Sequence, residues 1–192
     1  MRRNNLELHH TNNHLSNTFN TIYKLALPKI IPKEAQLSLQ AILITENNPD
    51  KYIEENTKLL ETTKNLYNKS LIYINISAGH AVKKSYRKAK EALKNIPEKG
   101  LRGINRVVYF SNLAYYHFKL AETKEAIKIV EDNKKEFDLY QNHSLLGKHI
   151  KLNQVYYLKS KKDIDSAREL LEKLKNEYTD EKYLQELSQV KL

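Results

Sequence analysis

The segment NISAGHAVKKSYRKAKEAL, which starts at Asn75, lies over NLAYYHFKLAETKEAIKIV, which starts at Asn112, without a gap. Asn75 meets Asn112, His80 meets His117 and Ala89 meets Ala126, so one shift of 37 positions holds from end to end. A second shift, of 41, carries Asn112 to Asn153, Tyr115 and Tyr116 to Tyr156 and Tyr157, and Ala126 to Ala167. Repetition at this spacing means that each unit is a small supersecondary element that buries its apolar face only against its neighbours. The expected architecture is therefore a stack.

Apolar residues within each unit recur at helical spacing, in two runs joined by a short link. Residues 33–48, with Leu37, Ala41 and Ile44, read as one helix, and 49–69, opened by Pro49 and Asp50, as its partner. Three further pairs follow: 71–83 with 85–97, 104–121 with 122–137, and 143–159 with 163–178. The repeat units thus run over about 33–69, 71–97, 103–137 and 142–178, with an amphipathic cap at 180–190 and an extension at 1–32. Four glycines and four prolines in 192 residues are too few for the turns of a β-sandwich, so the expected class is all-α.

Helical hairpins with this pattern resemble the tetratricopeptide repeat family. Asn112, Leu113 and Ala114, then Leu120 and Ala121 before the turn, then Glu125, Ala126 and Ile127 carry the resemblance, repeated by Asn75, Ile76, Ser77, Tyr86 and Ala89 and more loosely by Asn153, Val155, Asp163 and Ala167. The units exceed the family's ~34 residues, Gln154 replaces an apolar residue, and Lys83-Lys84 replaces Leu-Gly. The resemblance implies a right-handed α-solenoid with a C-terminal capping helix, whose first helices line a concave, peptide-binding surface. Small residues at Ser77, Ala89, Ala114, Ala126 and Ala167 fall where helix axes must approach to roughly 8–10 Å.

Several chemistries are set aside by composition. With no cysteine there is no disulfide, thiolate nucleophile or Cys-based zinc site, and a reducing cytoplasm is the expected compartment. Gly79, Gly100, Gly103 and Gly147 never cluster as a phosphate loop requires, and no G-x-S-x-G or H-E-x-x-H occurs. No enzymatic activity and no cofactor or metal is expected. The opening MRRNNLELHHTNNHL has no apolar run behind its arginines and does not read as a secretory signal. FNTIYKLALPKII is broken by Lys24 and Pro28, so no membrane span is expected. His9, His10 and His14 read as a polar end; His80 and His117 read as packing residues with a polar edge.

Two features point to binding. Asn75, Asn112 and Asn153 recur at one place in the first helix of three units, where asparagine is a poor helix former. The family resemblance implies that they hold the backbone of an extended peptide, with Tyr115, Tyr156 and Lys119 beside them; the alternative is that they bond neighbouring helices and set the repeat geometry. Three such amides at about 0.5–1.5 kcal/mol each fall short of a micromolar complex, so the aromatic rings and the lysine must add to them. The second feature is charge. The net +10 is concentrated in Lys83, Lys84, Arg87, Lys88, Lys90, Lys94, Lys99, Arg102 and Arg106, opposed only by Glu91 and Glu98.

The expected function is a non-enzymatic adaptor binding a protein or peptide segment, acidic in character, in the groove lined by Asn75, Asn112, Asn153, Tyr115 and Tyr156. The alternatives are nucleic-acid binding through Lys83 to Arg106, a peptide-sensing regulator of the kind found in bacteria, and a groove that binds the chain's own N-terminus or a second copy as a homo-oligomer.

Overall fold

The computed structural model describes residues 48–144 and 146–192. The extension at 1–32, His9, His10 and His14, and the helix read over 33–48, apart from Asn48, lie outside the described residues. Among those described, every regular element is helical: α1 Pro49–Thr62, α2 Leu66–Val82, α3 Tyr86–Lys94, α4 Ile104–Lys119, α5 Thr123–Asp132, α6 Lys134–Tyr140, α7 Gly147–Ser160, α8 Ile164–Glu177 and α9 Glu181–Ser188, with a 3-10 turn at Glu98–Gly100. Neighbouring helices pack on one another along the chain. None is long and apolar enough to cross a membrane.

One turn is built three times. Lys84, Ala121 and Lys162 have φ of 55°, 59° and 65°, the left-handed region, although none is glycine. After each, an amide reaches back over the last helical turn: Ser85 N to His80 O at 2.9 Å, Glu122 N to His117 O at 2.9 Å and Asp163 N to Leu158 O at 3.0 Å. These bonds satisfy carbonyls that a helix end otherwise leaves open. Four residues after each turn, the amides of Ala89, Ala126 and Ala167 donate back to Ser85, Glu122 and Asp163 at 3.0–3.1 Å and start the second helix. The left-handed residues stand 37 and 41 positions apart, the shifts already present in the sequence.

The small residues after the turns are where the helices meet. Ala89, Ala126 and Ala167 are 0% exposed, as are Ser77 and Ala114 in the first helices. The unit at 142–178 departs at this point, with Val155 in the place of Ser77 and Ala114 and equally buried. Ser77 Oγ donates to Tyr116 OH at 3.0 Å, tying α2 to α4. Gly79 allows a similar approach of α1 and α2, since a Cβ there would lie 2.6 Å from Ile53 Cγ1.

The helix ends differ from expectation in several places: the helix read over 85–97 stops at Lys94, and the one read over 143–159 starts at Gly147. The helix read over 49–69 stops at Thr62, and α2 starts at Leu66 rather than 71. Thr63 Oγ1 donates to Leu59 O, and the Asn65 side chain accepts from Asn68 N, so this pair of polar residues ends one helix and caps the next. The helix read over 122–137 breaks at Asn133, whose amide donates back to Ile129 O at 2.8 Å, and α6 continues to Tyr140.

The final helix extends the packing. Asp180 pairs with Lys148 at 3.2 Å at the start of α7, and Lys159 donates to Lys191 O near its end, so α9 runs in the same direction as α7. α7 in turn runs parallel to α4, with Asn153 against Ser111 and Tyr156 against Tyr115. Tyr183, Leu187 and Val190 close the last cluster over Leu152, Val155, Leu171 and Leu174.

A left-handed backbone costs a non-glycine residue about 1–2 kcal/mol, and a glycine returns about 0.5–1 kcal/mol of that as unfolded-chain entropy. Ala121→Gly and Lys162→Gly should therefore each raise stability by about 0.5–1 kcal/mol, read as a higher urea midpoint at unchanged m value. Ala126→Leu, by overpacking, should lower it by about 1–3 kcal/mol.

Candidate functional site

Four helices deliver side chains to one polar and aromatic cluster. Tyr115 and Lys119 stand one turn apart on α4, Tyr156 comes from α7, Tyr86 from the first position of α3, and Glu186 from α9. The Tyr115 ring meets Tyr86 edge-on at 5.8 Å and Tyr156 at 6.1 Å, while Tyr156 stacks on Phe118 at 5.6 Å. Lys119 Nζ lies 5.6, 5.6 and 5.7 Å from the ring centres of Tyr86, Tyr115 and Tyr156, and 3.4 Å from Tyr156 OH. Three negative ring faces thus surround one ammonium, an arrangement worth about 0.5–2 kcal/mol per ring depending on desolvation.

Electrostatics fix the protonation pattern. Burial, reinforced by the Glu186 carboxylate, pushes the Tyr115 phenol well above its usual range, so it stays protonated and donates to Glu186. Burial draws the Lys119 ammonium downward, and the charge of Glu186 opposes that. Without Glu186 the cluster would hold a positive charge with only ring faces and one hydroxyl against it.

The three recurring asparagines are placed differently. Asn153 is 2% exposed; its amide donates to Ser111 O at 2.8 Å and Ser111 Oγ at 3.0 Å, joining α7 to α4, and its own Oδ1 has no partner. Asn75 is half-buried and donates to Asn56 Oδ1 at 3.1 Å, while Asn56, fully buried, donates to Tyr52 O. Asn112 is half-buried and lies one turn before Tyr115 and Tyr116 on α4. The tyrosines and Lys119 converge, whereas Asn75 and Asn153 are drawn into contacts between helices.

Several members of the basic run are paired within the chain. Lys83 pairs with Asp50 of α1, Lys90 with Glu122 at the head of α5, Lys94 with Glu91 of its own helix and Arg106 with Glu136 of α6. Arg102 lies over Tyr67 at 4.9 Å, and Arg106 over Phe110 at 4.7 Å. Lys84 occupies a left-handed turn position. Arg87 and Lys88 are exposed at the rim of a shallow groove of about 440 Å³ with Tyr73, Ile76 and His80.

His117 is half-buried, its Nδ1 2.6 Å from the Glu122 carboxylate that Lys90 also holds. Burial, then the charge of Lys90, lowers its pKa against the opposing pull of Glu122. His80 is lowered likewise by burial, then by Lys88 and Lys83. Lys90 holds the Glu122 carboxyl below its usual range.

Tyr86 and Glu186 are the cluster members that the sequence does not single out as site residues. Tyr86 carries a signal, since it begins the second helix of its hairpin at a repeat position. Glu186 carries none: it meets Tyr115 across 71 positions of chain, and one glutamate in an amphipathic helix looks like a solvated residue. No protein-family model, curated protein or solved structure matches the chain.

Asn153→Ala should cost about 0.5–1.5 kcal/mol, the net worth of its buried hydrogen bonds to Ser111; chemical denaturation reads this. Stability should also fall as pH drops from 7.5 to 5.5. Below about 6.5 the unfolded histidines take up protons that folded His117 and His80 resist, so the unfolded state gains. The Glu122 contribution, with its depressed pKa, is lost only at lower pH. Urea midpoints at the two pH values should show a smaller difference for His117→Gln than for the wild type.

Proposed function

We propose that the chain is a non-enzymatic protein-binding adaptor of the cytoplasm. In this reading it is a right-handed, tetratricopeptide-like solenoid that takes an acidic segment of a partner along the face of α2, α4 and α7. Asn112, Tyr115, Tyr156 and Lys119 make the contacts, Asn75 flanks them, and Asn153 acts indirectly by holding α7 against α4. The observation that carries this reading is the convergence of Tyr86, Tyr115, Tyr156 and Lys119 from three helices. Tyrosine gives large contact area at low entropic cost, and a desolvated ammonium adds charge selectivity.

The nucleic-acid reading has less support. It needs a continuous row of free cations, and Lys83, Lys90, Lys94 and Arg106 are each paired with a carboxylate of the same chain. Affinity for duplex DNA would fall with salt at a slope of about −0.9 per phosphate neutralised.

The test is selection of a displayed random-peptide library on the immobilised chain, followed by direct titration of the enriched peptides. Acidic peptides should emerge that bind Asn112→Ala and Lys119→Ala at least tenfold more weakly than wild type, with Arg87→Ala/Lys88→Ala unaffected. A library without enrichment, or peptides indifferent to both α4 substitutions, refutes the proposal.

A further inference from the structure

The last helix displays what the face beneath it accepts. α9 turns Tyr183 and Leu187, with Val190 just beyond, onto Leu152 and Val155 of α7, and these positions form one apolar stripe. Its polar groups meet two lysines and a tyrosine of the receiving face. Asp180 pairs with Lys148, the carbonyl of Lys191 accepts from Lys159, and Glu186 accepts from Tyr115 beside Lys119. Tyr183 OH also donates to the main-chain carbonyl of Lys148 at 2.6 Å. The receiving face is basic and aromatic; the helix seated on it brings the acids.

Two further facts bear on how firmly α9 is held. It has eight residues, fewer than a helix needs for stability on its own, so its order comes from these contacts. Its link to α8 is the short non-helical stretch Tyr178–Asp180, and it packs on Leu171 and Leu174 of α8 as well as on Leu152 and Val155 of α7. A separate helix offering the same groups meets the same lysines and the same tyrosine hydroxyl.

We infer that the face formed by α4 and α7 is an acceptor for an acidic amphipathic helix, and that α9 occupies it in cis. The partner it fits carries an aromatic residue, a leucine and a valine at the spacing of Tyr183, Leu187 and Val190, with a glutamate at the place of Glu186, and lies parallel to α7. The inference rests on the protein-binding reading above and narrows it to a helical ligand on this part of the face. The net charge of +10 favours the acidic partner.

The experiment uses the full chain as wild type, as Leu187→Ala and as the milder Glu186→Gln, which keeps the apolar stripe. Each is titrated with a fluorescent synthetic peptide of residues 179–192, with its twin carrying the Glu186→Gln change, and with a scrambled peptide. The peptide should bind Leu187→Ala at least tenfold more tightly than wild type, with Glu186→Gln in between. The glutamine twin should lose at least fivefold, and so should the peptide against Leu187→Ala/Lys119→Met. Equal affinity for wild type and both variants overturns the inference, as does equal affinity of the peptide and its twin or of the scrambled sequence. If Leu187→Ala fails to fold, as judged by circular dichroism, the Glu186→Gln comparison and its Lys119→Met double variant decide alone. A negative result here leaves the library selection readable, and an empty library leaves this titration readable.

Discussion

The structure depends on how closely two helices approach at Ala89, Ala126 and Ala167. Each alanine sits in the first turn of a second helix, wholly buried, immediately after a link too short to allow any other path. A larger side chain would push the pair apart, and with it every contact between that pair and the next. Because no pair buries its apolar face alone, this local separation propagates along the stack. The left-handed residues at 84, 121 and 162 belong to the same constraint: the packing of the helices on both sides holds a backbone angle that lysine and alanine would not choose.

That constraint makes the helical hairpins legible in the sequence. Small residues, turn position and helix start recur together, so two constant shifts expose the hairpins, and the structure repeats them bond for bond. The breaks at Thr63 and Asn133 were less visible. Both lie inside runs with sustained helical periodicity, and the decisive event is a side chain bonding its own helix's backbone, which a periodicity count does not register. Tyr115, Tyr156 and Lys119 were legible as a group because they share a face. Their completion by Glu186 was not, since it depends on where α9 lies against α4.

The asparagines show how one recurring letter serves different ends. At 153 the amide is buried and spends its donors on Ser111; at 75 it joins a relay to Asn56 and Tyr52. A buried amide that misses its partner is costly, so such bonds fix which helix lies beside which, and in what register. Recurrence in sequence therefore reports an equivalent position, while the neighbouring helix decides what the residue does there.

The parallel course of α9 along α7 has a mechanical consequence. Tension applied to the chain beyond α9 would act first on the contact between Lys159 and the Lys191 carbonyl. The helix would then peel from its far end toward Asp180, breaking contacts one after another rather than together. Parting helices in this order takes less force than sliding them along their length, so α9 would leave its neighbours more easily by peeling than by shear.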